Sequence, residues 1–487
     1  MSAAYVDLAR AHAPLLMIVA PLLGAALMLV TGTARLSWLL ACLAAAAGAY
    51  VAVDFAALVL SGVAQPVAEV GVSVFADGVG VFAAALLALT ATLSVVAVGA
   101  SLKDGGDAAA PLALAIMLCI AAGWIGALVA RDLVAIVAAV EMAWLAAVSL
   151  AMLNALRNRA ALNGALRMLS WGGVGAAFML LGAGLIARAT GSFAIDALPL
   201  AHITMPNLAG AGAALMVIGL ALKGGVAPLH AWCAATLSRL STTYALGIGA
   251  LGVLGALAVL TRFSAYAIAA PELGGAISAV LAVLGSASVV IGSVQAVGAR
   301  NLLRLTAYAG AAQAGCVLLS VALGSPAGFA AALMQLVAFA AAALALYGGA
   351  AAGRVHALEM LDGYGQRAPL ASAAITVGAL SLMGAPLTIG FLARWRLVEA
   401  GVGAGWWWAA GLVIIASLAG VFYGGRLIER MYFRRADIAY AGEGGVWRVA
   451  LAPALVAAIV AIAIGLAPSV LLRAAAEASL LLTGLAA

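Results

Sequence analysis

Lys223 stands where a lysine is costly, and that makes it the first candidate for chemistry. The chain has only two lysines, Lys103 and Lys223, against twenty-one arginines. Lys103 lies in the polar stretch SLKDGGD, whereas Lys223 follows LAGAGAALMVIGLAL, fifteen residues without a charge. An ionisable group at that depth in an apolar segment marks a functional site by default. The next residues, Gly224, Gly225 and Pro228 in LALKGGVAPLHAW, must open the helix, because Pro228 lacks an N–H and clashes with the carbonyl of Gly224. Broken backbone survives inside a membrane only where protein buries it or water reaches it. The acid that could answer this amine is Glu141, alone in LVAIVAAVEMAWLAAVSLAML. Apart, both groups would tend to neutralise; together each favours the other's charged form. At about 5 Å and an effective dielectric of about 20 the attraction is roughly 3 kcal/mol, so a small displacement becomes a proton transfer. The residues alone leave equal room for a static ion pair that merely joins two helices.

Membrane spans must position this pair. The chain of 487 residues is 67% hydrophobic and 8% charged, with a mean hydropathy of +1.22, which places it among polytopic membrane proteins. A net charge of +6 with scattered arginines excludes a nucleic-acid partner. About 20 apolar residues cross a bilayer. On that measure fourteen spans are expected, near 14–31, 36–60, 78–100, 109–129, 133–153, 164–187, 208–227, 241–262, 275–298, 304–323, 328–350, 369–392, 406–425 and 449–470. The fold class is all-α integral membrane. Polar links remain at 61–77, 188–207, 351–368 and 426–448.

Links after odd-numbered spans carry fifteen basic residues, among them Lys103, Arg157, Arg239, Arg304 and Arg426, and the other side seven, among them Arg10, Arg131, Arg262, Arg394 and Arg473. The richer side is expected to be cytoplasmic, with both termini on the periplasmic side. Trp406, Trp407 and Trp408 would form an outer interfacial belt. A second interruption, SLMGAPLTIGFLARW, sets Gly384 and Pro386 in span twelve and frees the carbonyl of Leu382. Spans seven and twelve run in opposite directions, so paired breaks suggest two inverted five-helix repeats, spans 4–8 and 9–13, with an ion site near mid-membrane. The expected divisions are 1–105, 106–265, 266–428 and 429–487, the last holding a cytoplasmic link, span fourteen and a tail. The preference for arginine and alanine suggests a GC-rich bacterium, and the expected location is a bacterial inner membrane.

Other motifs carry less. Cys42, Cys119, Cys233 and Cys316 stand apart, and His12, His202, His230 and His356 have no ligand spacing, so neither a metal nor a redox cofactor is expected. Gly247, Gly249 and Gly252 spell a dinucleotide fingerprint but lie inside span eight, where helix packing explains them better. Arg426, Arg430, Arg434 and Arg435 read as a basic cluster facing anionic lipid or a partner.

LALKGGVAPLHAW, the lone glutamate of span five, NLLRLTAYAGAAQAG at 301–315 and LSLMGAPLTIGFLARW at 380–395 together resemble one family over roughly residues 75–400. It comprises the antiporter-like subunits of respiratory complex I, Mrp-type cation/proton antiporters and membrane-bound energy-converting hydrogenases. The resemblance implies Glu141 and Lys223 as a modulating pair, His230 at the family's histidine position, and a hydrated polar axis. It also implies other membrane subunits as partners, with H⁺ or Na⁺ as the ion. Such subunits do no redox chemistry of their own. The chain departs from the pattern in span eight, where Val253 or Leu254 replaces a basic residue. Span eleven offers only Gln335 and Tyr347, with Ala343 near the lysine position, and span twelve has Arg394, which holds its proton. Thr242, Thr243, Tyr308, Gln313 and Gln335 are the remaining polar residues through which water could bridge the gap. The expected function is proton translocation within a complex I-related or Mrp-like assembly. The alternatives are a scaffold subunit with an incomplete path, or one half of a two-component secondary transporter, for example for bicarbonate.

Overall fold

The structure, a computed structural model, describes residues 12–30, 33–62, 67–70, 72–75, 77–98, 109–155, 158–200, 203–435 and 448–483. Arg10, Lys103, Arg157 and His202 lie outside the described residues. The first helices are α1 (Ala13–Val30), α2 (Ala34–Leu60), α3 (Gly78–Val98), α4 (Ala110–Val129), α5 (Leu133–Ala155) and α6 (Arg159–Thr190). Then come α7 (Pro206–Lys223) and α8 (Ala231–Leu237), the two halves of one interrupted crossing. Next are α9, continuous over Thr242–Ala269, α10 (Gly274–Gly298), α11 (Leu302–Ala322) and α12 (Pro326–Gly353). The second interrupted crossing is α13 (Pro369–Met383) plus α14 (Ile389–Gly403), followed by α15 (Trp407–Ile428), α16 (Arg448–Leu466) and α17 (Ser469–Thr483). Twelve described helices are long and apolar enough to cross a membrane. Two shorter apolar ones, Ala13–Met28 and Pro369–Met383, occupy the first and twelfth expected spans.

Local chemistry sets the ends. Proline opens α4, α7, α12 and α13, where its missing N–H costs nothing. Side chains of Asn158, Asn301, Ser325 and Thr388 accept first-turn N–H groups of α6, α11, α12 and α14. Helices α9, α11 and α12 are almost wholly enclosed, whereas α2, α6, α15 and α16 turn one side outward. In lipid such outward apolar surface needs no cover, and small residues bring the inner helices close. The Cβ of an alanine at Gly255 would sit 2.2 Å from the Trp124 ring.

Three features depart from the sequence reading. The link 61–77 holds a hairpin, β1 (Val67–Val70) against β2 (Val72–Phe75), antiparallel, which are the two strands among the described residues. Span fourteen stops at Leu466, and Pro468 precedes a further helix, α17, in the stretch read as a tail. The basic cluster is largely spent within the chain. Arg426 donates to the carbonyls of Ala296 and Ala299, Arg430 pairs with Asp362 at 3.1 Å, and Arg434 pairs with Glu429 at 3.0 Å.

Two pairs of matching devices recur along the chain. Arg262 on α9 donates to the carbonyls of Ala127 and Ala130 at the end of α4, as Arg426 on α15 does at the end of α10. Single antiparallel bridges join Asp132 to Ala194 and Asn301 to Ala357, each tying the start of a second helix to the chain after the third. Arg262 also pairs with Asp77 at 2.5 Å, both about 1% exposed. A buried ion pair of this kind survives when its remaining donors are also satisfied.

Candidate functional site

The first break is built around the end of α7. Lys223 is that helix's last residue and is fully buried. Gly224 follows, then Gly225 at φ +63°, a left-handed turn that suits glycine. Freed backbone is satisfied locally: Gly225 N–H donates to Leu222 O, Val226 N–H to Ala221 O, and Ala227 N–H to Ser288 Oγ of α10. The Trp232 indole of α8 donates to Leu222 O at 2.7 Å. The gap in the helix is therefore held open by named partners rather than left loose.

Lys223 Nζ lies 2.9 Å from Glu141 Oε1 on α5, with exposures of 0% and 23% for the two side chains. The acid and amine paired from the sequence are thus in contact. Two residues that the sequence reading passed over complete the site. Trp144 presents its ring to the ammonium, 4.4 Å from Nζ to the centroid, a favourable cation–π placement. Gly172 O on α6 accepts from Nζ at 3.3 Å. Trp144 is three residues after Glu141 and so shares its helix face, a signal available in the sequence. It meets Trp232 edge to face at 4.8 Å. Gly172 is required by Trp144, since a Cβ there would lie 1.7 Å from its indole nitrogen. The carbonyl end of α7 adds a negative half-dipole beneath the ammonium.

His230 precedes α8 and is 7% exposed. It does not join the Lys223 pair but faces α10 and α11. Its Nε2 is 2.5 Å from Gln295 Oε1, and its ring packs edge to face on Tyr308 at 5.8 Å. Thr242 and Thr243 stand in the first turn of α9. Gln313 of α11 and Gln335 of α12, both buried, hydrogen-bond to each other.

Between the breaks lies a cavity of about 10 Å³, room for roughly one water. Gly224, Gly225, Val253, Thr306, Ala343, Tyr347 and Leu382 line it. Val253 and Ala343, the positions noted for their missing basic groups, thus face one space. Gly247, Gly249 and Gly252 belong to a π-helical turn within α9, with Gly249 against Tyr347. That widened turn is what the false fingerprint encodes.

The second break contrasts with the first. Gly384 caps α13 at φ +76°, and Pro386 lies in the gap before α14. Arg394, 5% exposed, donates to Met383 O and Ser417 Oγ, each at 2.7 Å, and to Leu382 O. Tyr423 also donates to Leu382 O, so the carbonyl expected to be freed by Pro386 is doubly satisfied. Among the described residues Arg394 has no carboxylate partner. No group of three or more His, Cys, Asp or Glu side chains gathers among the described residues.

The sequence profile of the family described as NADH:quinone oxidoreductase/Mrp antiporter, TM, matches residues 130–420. NADH-quinone oxidoreductase subunit N of Desulforudis audaxviator (strain MP104C) is 30% identical over 337 residues, covering 66% of this chain and 64% of that protein. F(420)H(2) dehydrogenase subunit N of Methanosarcina mazei is 30% identical over 326 residues, 62% of this chain and 64% of that one. The chain thus aligns with a little under two thirds of the length of these relatives. Among solved structures, a chain of the Mrp complex from Dietzia sp. DQ12-45-1b superposes with a TM-score of 0.82 at 22% identity, covering 96% of this chain and 97% of that one. A chain of respiratory complex I from Thermus thermophilus with bound NADH gives 0.80 at 22%, covering 97% and 100%. At such identities the likeness is one of fold.

Proposed function

The chain belongs to the NADH:quinone oxidoreductase/Mrp antiporter transmembrane family, and from that premise we propose that it is a proton-translocating, antiporter-like subunit of a multisubunit membrane assembly. One observation carries the reading: a fully buried ammonium, 2.9 Å from a carboxylate, at the last residue of an interrupted helix. Glu141, the Trp144 face, Gly172 O and the α7 dipole all stabilise the protonated form. A shift of α5 against the α7–α8 break removes the carboxylate, and a dry ammonium without a counter-charge gives up its proton to water at the break. Return of Glu141 favours uptake of another. The switch needs only movement at Gly224 and Gly225. A lysine carries a proton and repels Na⁺, so H⁺ is the ion.

The neighbours are other membrane subunits, one of which supplies the driving reaction. The membrane is a bacterial inner membrane, with the fifteen-arginine-and-lysine side cytoplasmic and both termini periplasmic. The matched carbonyl-capping arginines and matched bridges support two inverted units, within 106–265 and 266–428. Water in the cavity between the breaks, with Gln313 and Gln335 beyond it, extends the path from the first unit towards the second.

A second reading has its own support. Val253 and Ala343 leave the cavity without a lysine or histidine side chain, and Arg394 is committed to carbonyls and Ser417. A spacer that keeps active neighbours apart would show these features. Proton flux through the reconstituted assembly separates the two. Lys223→Ala abolishes and Glu141→Gln sharply lowers flux through a conducting subunit, and both leave a spacer's assembly unchanged.

A further inference from the structure

The structure leaves His230 with a partner on one nitrogen only. Nε2 lies 2.5 Å from Gln295 Oε1, while Nδ1 is buried and has no hydrogen-bond partner among the described residues. An amide oxygen only accepts, so the hydrogen sits on Nε2 and Nδ1 is left as the open base. We propose that Gln295 is a positioning residue for proton transfer at His230, fixing the imidazole as the Nε2–H tautomer with Nδ1 free to take up a proton. The proposal rests on the proton-translocating reading above.

Three observations converge on Gln295. It belongs to α10, outside the unit that contains the first break. Seven residues earlier on α10, two turns away on one face, Ser288 Oγ accepts from Ala227 N–H at 2.9 Å and donates to Ala311 O at 2.7 Å. Ala227 and His230 both lie in the segment between α7 and α8, so this face of α10 grips the broken segment twice through polar atoms. Tyr308, edge-on to the imidazole at 5.8 Å, limits the ring's rotation from the α11 side. A ring pinned on two sides presents Nδ1 in one direction. A buried nitrogen acceptor left bare is costly. Such a group persists where it is used, here by accepting a proton from water entering the break.

Taking a proton from water at Nδ1 gives the imidazolium, and giving it up from Nδ1 to the next water restores the neutral ring. The Nε2 proton stays hydrogen-bonded to Gln295 Oε1 throughout, because an amide oxygen cannot take it. The amide neither gains nor loses a proton, and it holds the histidine in one tautomer between transfers.

The test is ¹⁵N-histidine magnetic resonance on the lipid-embedded assembly, with the His230 signals taken as the difference between wild type and His230→Gln, beside proton flux on the same preparations. The expected result is a bare Nδ1 and a protonated Nε2 whose proton resonates far downfield, as a short hydrogen bond requires. Gln295→Glu keeps an acceptor oxygen in place and keeps that signal. Gln295→Leu loses it and lowers flux about tenfold, the factor that one hydrogen bond of about 1.4 kcal/mol gives. Where leucine prevents assembly, Gln295→Asn withdraws the amide by one methylene and should lose the same signal. A wild-type His230 protonated on Nδ1 overturns the proposal, as does unchanged flux in an assembled Gln295→Leu variant that has lost the downfield proton. The resonance is read without transport, so an assembly that moves no protons overturns the functional reading while the tautomer is still determined.

Discussion

Replacing Glu141 by glutamine removes one charge from the site and almost nothing else. At 2.9 Å and an effective dielectric of about 20, the lost attraction is roughly 6 kcal/mol. Glu141 is 23% exposed, so solvent screening leaves about half of that. The glutamine oxygen still accepts from the ammonium, which returns about 1.5 kcal/mol. The net loss is therefore on the order of 1.5–3 kcal/mol, or about 10-fold to 100-fold at 1.36 kcal/mol per decade. Glu141→Asp retracts the carboxylate by about 1.5 Å and keeps more than half the unscreened attraction, so it falls between wild type and glutamine. Dye-monitored proton uptake in vesicles carrying the full assembly reads the order directly. Equal rates for wild type, aspartate and glutamine, with assembly intact, refute the argument that the pair's electrostatics set the proton's residence on Lys223.

Other substitutions test separate parts. Gly172→Ala places a Cβ 1.7 Å from Trp144 Nε1; the ring must leave the ammonium, and proton flux and thermal stability both fall, the latter by about 1–3 kcal/mol of overpacking. Arg394→Lys retains donors for the end of α13 and assembles, whereas Arg394→Ala strands the carbonyl of Met383, costing about 1–3 kcal/mol in a melting assay of the extracted protein. Ala343→Val fills the cavity between the breaks and lowers flux at least about fivefold if one water there carries the path; unchanged flux rejects that water. Outside the membrane, burial pushes the Tyr364 hydroxyl up to about 12, against the opposing pull of Arg367. The folded state then holds that proton more tightly than the unfolded chain, so stability is full below about 10 and is lost as pH rises towards 12. Tyr364→Phe flattens alkaline melting over that window.

The pair at the heart of the site was legible because bilayers make charge conspicuous. One glutamate and one lysine in long apolar runs can hardly avoid each other, and the prolines beside them announce the breaks. The partners that tune the pair were less visible. Trp144 and Trp232 look like ordinary apolar filling, and only the three-residue step from Glu141 singles out the first. Gly172 is one of many glycines in α6, and its need arises from a ring on another helix. Gln295 sits near the end of α10, where a polar residue passes for an interfacial one; its role depends on a segment 65 residues away. Asp77 and Arg262 lie at opposite ends of two predicted spans, and only the packing of α3 against α9 joins them. The hairpin in 61–77 was hidden because strands this short carry little pattern. The internal contacts of the basic cluster were hidden for the opposite reason, since its acidic partners Asp362 and Glu429 and its carbonyl partners on α10 come from other turns and helices.

The most direct measurement is proton translocation by the assembled complex carrying Lys223→Ala, with subunit content verified on the same vesicles. Flux through this subunit should disappear while the complex remains whole. A whole complex that moves protons at the wild-type rate without that amine contradicts the account.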